Sequence, residues 1–308
     1  MRRRPPPSPS VAPRAVTIDL WFTLIAFSRA GPKRYERARR AAWVRPLIAG
    51  GLPSRAAELA VRAMEEWASA REAGGRSVSL AEQADELDRL VGVRPAPDRV
   101  GHAIAFALAS ANLRWSPGLR PALARLRRRG IRLGVVSNIL YEPPEVAHAL
   151  LRRLGERKVF DAVVISSDGP DAKPSPRPIE QAARALGVSA PELLHIGDSP
   201  ADLLAAYRAG VAFVRYTGRP RVPATPVRTR IPTVRYPSVG SWVRFAREFD
   251  RLWGEAAAAR DQYLRRGRSG RASPRPRGER RAPGGPSSGP TGPRARPSRT
   301  PGPRRPRG

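Results

Sequence analysis

Four short runs hold the residues that could do chemistry together. The first is "AVTIDLWFTL", residues 15–24, where Asp19 ends an apolar run and Trp21, Phe22 and Leu24 follow. A carboxylate among such neighbours is expensive to bury without a partner, so Asp19 reads as functional. The second run ends on Ser137-Asn138, the third is "SSDGPDAKPSP" with Lys173, and the fourth is "IGDSPAD" with Asp198 and Asp202. Carboxylates, a lysine and a hydroxyl at one place suit anion chemistry with a divalent cation, and magnesium prefers oxygen ligands. Lysine and arginine together number 57, yet Lys33, Lys158 and Lys173 are the only lysines. A lysine kept at 173 points to a compact charge that an arginine fork does not replace.

The elements that must position these residues alternate along the chain. Short apolar runs predict buried strands over 15–20, 131–137, 160–166, 193–197 and 211–216. Stretches of helical spacing separate them, such as 118–130, 175–187 and 199–210, each closing on a glycine. Strand–helix alternation predicts a doubly wound α/β fold with a Rossmann-like parallel sheet. Active sites of such sheets form outside the carboxyl ends of the strands, which is where Asp19, Ser137, Lys173 and Asp198 fall. Residues 26–111 break the rhythm and contain amphipathic helical stretches without a convincing strand. They read as an all-helical insert, so the core is 15–25 with 112–264. A last amphipathic helix is expected over 238–264, with Trp242, Phe245, Phe249 and Leu252 inward.

Composition bounds the rest. The chain has 308 residues, a formal charge of +31 and no cysteine. That excludes disulfides, thiolate zinc sites and a cysteine nucleophile, and fits a cytoplasmic setting. No apolar run reaches the length of a membrane span, and the arginines of the N-terminus lack the apolar segment of a secretory signal. His102, His148 and His195 are the only histidines, so histidine-rich metal sites are poorly supported; His195 lies within a strand and reads as a packed core residue. Residues 1–14 and 265–308 are predicted to be disordered. The tail over 265–308 holds 14 arginines and one acid, Glu279. It could retain nucleic acid or an acidic partner by counterion release, but no aromatic residue is interleaved for base stacking, which favours a solubilising tail.

The ordered set Asp-x-x-x-Thr, Ser-Asn, Lys-Pro and Gly-Asp-Ser-x-x-x-Asp resembles the haloacid dehalogenase superfamily of hydrolases, over roughly residues 15–240. The helical insert then resembles that family's mobile cap. The resemblance implies that Asp19 is a nucleophile forming a covalent intermediate, with Thr23 holding the turn beyond it. It implies that Ser137 binds a phosphoryl oxygen with help from the Asn138 backbone, and that Lys173 steadies the charge of Asp19 and of the transferring group. Magnesium would be held by Asp19, Asp198 and the Trp21 backbone carbonyl, with Asp202 as a further ligand or an orienting group. The substrate would be a small anionic molecule.

One position departs from the pattern. Phosphatases of the superfamily carry a second aspartate two residues after the nucleophile, and here that residue is Trp21. Its indole donates a hydrogen bond but does not titrate in range, so the usual acid–base help is missing. Three readings follow: a phosphatase-like hydrolase, impaired or specialised for leaving groups that need no proton; an enzyme closer to the 2-haloacid dehalogenases, which carry an aromatic tyrosine there; or a non-catalytic binding protein. The Gly197-Asp198-Ser199 run with Asp202 favours the first. The second needs a cation for a substrate carboxylate, for which Arg29, Arg34 and Arg37 are available.

Overall fold

A computed structural model describes residues 11–27, 31–111, 113–153, 159–218 and 234–269. The predicted disorder of the N-terminus and tail falls almost entirely outside these residues.

The chain begins with β1 (Ala15–Ile18), then β2 (Ile25–Phe27) and four helices, α1 (Gly31–Ala49), α2 (Ser54–Ala73), α3 (Leu80–Val91) and α4 (Pro97–Ala109). It returns through β3 (Leu113–Trp115), α5 (Leu119–Arg128), β4 (Arg132–Ser137), α6 (Pro144–Arg153), β5 (Ala162–Ile165) and α7 (Arg177–Ala185). It closes with β6 (Leu193–Gly197), α8 (Pro200–Arg208), β7 (Ala212–Tyr216), β8 (Ser238–Val239), α9 (Trp242–Arg247) and α10 (Phe249–Ser269). Six strands form one sheet in the order β5-β4-β1-β6-β7-β8. Every pairing in it is parallel. The Rossmann-like doubly wound fold expected from the sequence is present.

The strands are apolar on both faces because helices cover both. Along β1, β4 and β6, alternate residues go to opposite sides. Val16, Ile18, Leu133, Val135, Leu194 and Ile196 join the cluster that takes in α5, α9 and the start of α10. Ala15, Val136 and Leu193 join the cluster that takes in α7 and α8. Each strand is thus held from two sides, which fixes its register and the position of its carboxyl end. The helices α1 to α4 bury their own core, including Trp43, Leu47, Val61, Met64, Leu87 and Ile104.

Three elements differ from the sequence reading. β2 and β3 pair antiparallel, Ile25 opposite Trp115 and Phe27 opposite Leu113, and form the ribbon between sheet and insert. Three residues per strand are too few to display an alternating pattern. The expected helix over 238–264 is instead strand β8, a short helix capped by Ser241, a break at Glu248 and a longer helix. Trp242, Phe245, Phe249 and Leu252 are nonetheless all buried as expected. Finally, α10 runs to Ser269, beyond the expected tail boundary at 265, with Tyr263 packed on Tyr207 at 5.0 Å.

Candidate active site

β1 is central in the sheet, and its carboxyl end lies between those of β4 and β6, where the chain changes direction across the sheet. Asp19 follows β1 directly, its amide bonded to the Ile196 carbonyl at 2.9 Å. The next residues turn sharply. The amides of Leu24 and Ile25 both reach the Leu20 carbonyl at 3.0 Å, and Phe22 sits at a φ of 61°. A left-handed conformation is unusual for a bulky residue and stores strain beside the site. The Thr23 carbonyl is pinned by Ser116 Oγ at 2.6 Å and by Trp242 Nε1 at 3.2 Å. Its own hydroxyl is fully buried without a hydrogen bond of ordinary geometry, yet close enough to pull the Asp19 carboxyl down.

Lys173 organises the sheet edge. Its Nζ donates to Asp19 Oδ1 at 2.7 Å, Asp202 Oδ1 at 2.5 Å and the Val136 carbonyl at 2.8 Å, using all three ammonium protons. Asn138 holds the lysine's backbone from both sides: Nδ2 donates to the Lys173 carbonyl at 2.7 Å and Oδ1 accepts from its amide at 2.8 Å. The Asn138 side chain is therefore a clamp on Lys173, whereas the resemblance implies only a role for the Asn138 backbone in binding a phosphoryl oxygen. Ser137 is buried at the end of β4, its hydroxyl on the Asn138 carbonyl at 3.2 Å.

The fourth run folds back on itself. Ser199 caps α8 and makes a reciprocal pair with Asp202: the serine amide and hydroxyl reach Asp202 Oδ2 at 3.0 and 2.6 Å. A Cβ at Gly197 would lie 2.4 Å from Asp202 Cγ, so only glycine fits ahead of Asp198. His195 was expected to be mere core. It is buried and no part of the cavity wall, but its Nε2 lies 3.2 Å from Asp202 Oδ1 and its Nδ1 3.0 Å from Thr17 Oγ1. A neutral imidazole protonated on Nε2 satisfies both contacts. The signal for it was present, as it lies in the strand that delivers Asp198.

Asp19, Asp198 and Asp202 each place a carboxylate oxygen within 4.8 Å of the others. Burial works against the charge of Lys173, but Asp19 and Asp202 overcome it and hold the ammonium protonated. Burial also pushes Asp202 up, and Lys173 with His195 outweighs it, leaving this carboxyl well below the usual range. Asp19 is pushed up to about 7 by burial, which Lys173 only partly offsets and the neighbouring Asp202 reinforces. Asp198 is pushed up to about 8 by burial and by the charges of Asp19 and Asp202. The cluster is short of positive charge. Its all-oxygen donor set and excess negative charge fit a hard divalent cation.

A cavity of about 300 Å³ opens over Asp19, Asp198 and Lys173. Trp21 and Phe27 line it, as do Tyr35 and Glu72 from the insert and Tyr141 and Glu142 from the loop after β4. None of the last four was singled out in the sequence. The insert is also tied to the lysine loop by backbone: Ser77 donates to the Pro170 carbonyl at 2.9 Å and Ala172 to the Gly75 carbonyl at 3.0 Å. Gly75 has a φ of +89° and a Cβ there would meet the Ser175 amide at 3.0 Å, so glycine permits the approach. Gln83 adds a bond to the Leu140 carbonyl at 2.6 Å. Arg34 and Arg37 are exposed on α1, and Arg29 lies outside the described residues.

Comparison with known proteins gives the family of the chain. The chain is 33% identical over 164 residues to a phosphoglycolate phosphatase of Rhodospirillum rubrum, a match spanning 53% of this chain and 66% of that one, just under two thirds. It is 33% identical over 206 residues to a glyceraldehyde 3-phosphate phosphatase of Methanopyrus kandleri, spanning 66% of this chain and 83% of that one. The crystal structure of a HAD phosphatase from Thermococcus onnurineus shares the fold with a TM-score of 0.52 at 18% identity, over 79% of this chain and 99% of the other. Residues 13–210 match the family model of the haloacid dehalogenase-like hydrolases, and the chain belongs to that family.

Proposed function

We propose that the protein is a magnesium-dependent phosphatase acting on a small phosphorylated molecule, with Asp19 as nucleophile. The observation that carries this reading is the Lys173 ammonium shared between Asp19 and Asp202, with Asp198 unpaired beside them. Phosphatase relatives at 33% identity support the same class of reaction. Asp19 and Asp198 would hold the metal, with the Trp21 carbonyl in the loop beside them. Each oxygen of Asp202 already has two close partners, which supports an orienting role rather than that of a ligand. Magnesium, when bound, would neutralise charge on the phosphoryl group and on the attacking carboxylate.

An Asp19 oxygen attacks phosphorus, the bond from phosphorus to the alcohol oxygen breaks, and an aspartyl phosphate forms. Lys173 aims Asp19 and favours its ionised form against burial. Water then attacks phosphorus, releasing phosphate and the free carboxylate. The alcohol must find its proton without help from position 21, so leaving groups that depart as stable anions react best. A cytoplasmic setting agrees with the absence of cysteine, and no described helix is long and apolar enough to cross a membrane. Retention of nucleic acid by the basic tail is left to salt-dependent binding of a truncated chain.

Trp21 favours one other reading, dehalogenation, because a halide leaves without a proton. That reaction needs a cation for the substrate carboxylate, and among the described residues no arginine lines the cavity. The test is a panel of phosphate esters, acyl phosphates and 2-haloacids, each assayed with magnesium and with chelator. Release of phosphate that chelator abolishes is expected. Halide release that survives chelator would replace this reading with dehalogenation, and no turnover on the panel would favour a binding protein.

A further inference from the structure

The half of the cavity that faces the insert has a chemistry of its own. Trp21 stacks on Phe27 with ring centres 5.8 Å apart and planes 10° apart, and Phe27 stacks on Tyr35 at 5.3 Å. Tyr35 donates to Glu142 at 2.5 Å. Glu72, from the last turn of α2, is buried beneath the insert and lines the same space. Among the described residues the one cation in the cavity wall is Lys173, and its three protons are already placed. Arg39 lies over the Tyr141 ring at 3.8 Å and is paired with Glu65 at 2.8 Å. Its field reaches Glu142 without the side chain lining the cavity.

Among the described residues, a leaving group with a carboxylate or a second phosphate would meet two glutamates and no free cation there. An ammonium group would meet two carboxylates that attract it, set beside an aromatic wall. We infer that this half of the cavity selects a phosphomonoester whose alcohol carries an ammonium group, held between the Trp21, Phe27 and Tyr35 rings and the side chains of Glu72 and Glu142. The inference rests on the phosphatase reading of the site and names its substrate class. Burial pushes Glu72 up to about 7 and Glu142 upward as well, with Lys173 and Arg39 only partly opposing, as expected of carboxylates short of a counter-charge.

The test uses the full chain with magnesium and three esters of similar length: phosphoethanolamine, propyl phosphate and phosphoglycolate. Turnover is read on the wild type, and calorimetric binding on Asp19→Asn. The expected order is ammonium over neutral over carboxylate, with at least about a tenfold preference for the first in kcat/KM. Glu72→Gln and Glu142→Gln should each bring the ammonium-to-neutral ratio towards one. The two are read separately, with melting temperature reporting the fold, so loss of one variant leaves the other to decide. Turnover with a neutral or carboxylate ester preferred, or a ratio untouched by both substitutions, overturns the inference and leaves the phosphatase reading standing. No turnover on any ester, with ammonium-selective binding, overturns the phosphatase reading and keeps the selectivity. Neither turnover nor selective binding overturns both.

Discussion

The two halves of the cavity are built on opposite plans. At the sheet edge nearly every polar atom is spoken for: Lys173 serves three acceptors, Asn138 grips its backbone, and Ser199 and His195 hold Asp202. On the insert side the walls are rings and two glutamates, with no matching cation in the wall among the described residues. The first half is preorganised to do one reaction, because its groups cannot move without breaking several bonds. The second offers shape and charge that only a ligand completes. A chain with a net charge of +31 keeps arginine out of this cavity among the described residues, so its acidity is a local feature that composition conceals.

The contrast predicts where damage is greatest. Asp19→Asn should reduce turnover by on the order of 10⁴-fold or more for every ester, since the proposed nucleophile would be shared by all substrates. An ester still hydrolysed at near wild-type rate by this variant would place the chemistry elsewhere. Lys173→Met comes next. It leaves two buried carboxylates without their ammonium and should cost about 3–5 kcal/mol in chemical denaturation, besides activity. Lys173→Arg should not restore function, because the pocket fits a point charge rather than a planar fork.

Trp21→Asp sharpens the boundary between the halves, since this side chain belongs to the aromatic wall but stands at the acid–base position. Turnover on an alkyl phosphate should rise, by up to ~10²–10⁴-fold. A nitrophenyl ester, whose leaving group is already a good anion, should gain much less. A variant that melts like the wild type, binds magnesium and gains nothing on alkyl phosphates removes the impaired-phosphatase reading. Loss of the stack on Phe27 would instead register as a lower melting temperature.

The smallest effect is on stability against pH. Asp19 at about 7 and Asp198 at about 8 retain protons in the folded chain that ordinary carboxyls of the unfolded chain have already released. Between pH ~4 and 8 the native state therefore binds more protons, and metal-free stability falls as pH rises. Asp202 acts in the opposite sense, but only at the acid extreme, where its depressed carboxyl finally takes a proton. Magnesium would bind the deprotonated carboxylates, so its gain in melting temperature should be larger at pH 8 than at pH 5.5. Equal gains at the two pH values would remove Asp19 and Asp198 as the metal site.

The same division governs what could be read from the sequence. The sheet-edge residues sit at strand ends, and a strand fixes where its end lies, so Asp19, Lys173, Asp198 and Asp202 could be brought together from spacing and resemblance alone. The partnership of Lys173 with Asp202, and the place of His195 behind it, depend on side-chain directions that no spacing specifies. Tyr35 and Glu72 were harder still. They are single turns of long helices in a segment legible only as helical, and which turn meets the core is decided by how the four helices pack. Trp21 was legible as a departure from pattern, but its stack on Phe27 depends on a ribbon too short to announce itself.

The backbone bonds between the insert and the lysine loop have a consequence for timing. Ser77 to Pro170 and Ala172 to Gly75 lie within a few residues of Lys173, so the insert cannot swing away without pulling on the segment that carries the ammonium. Any outward movement of the insert would then slacken the hold on Lys173 in the same event. The Ala172 amide is a built-in clock for that event. Its hydrogen can exchange for deuterium only while the latch is undone, so its exchange rate measures how often the chamber opens.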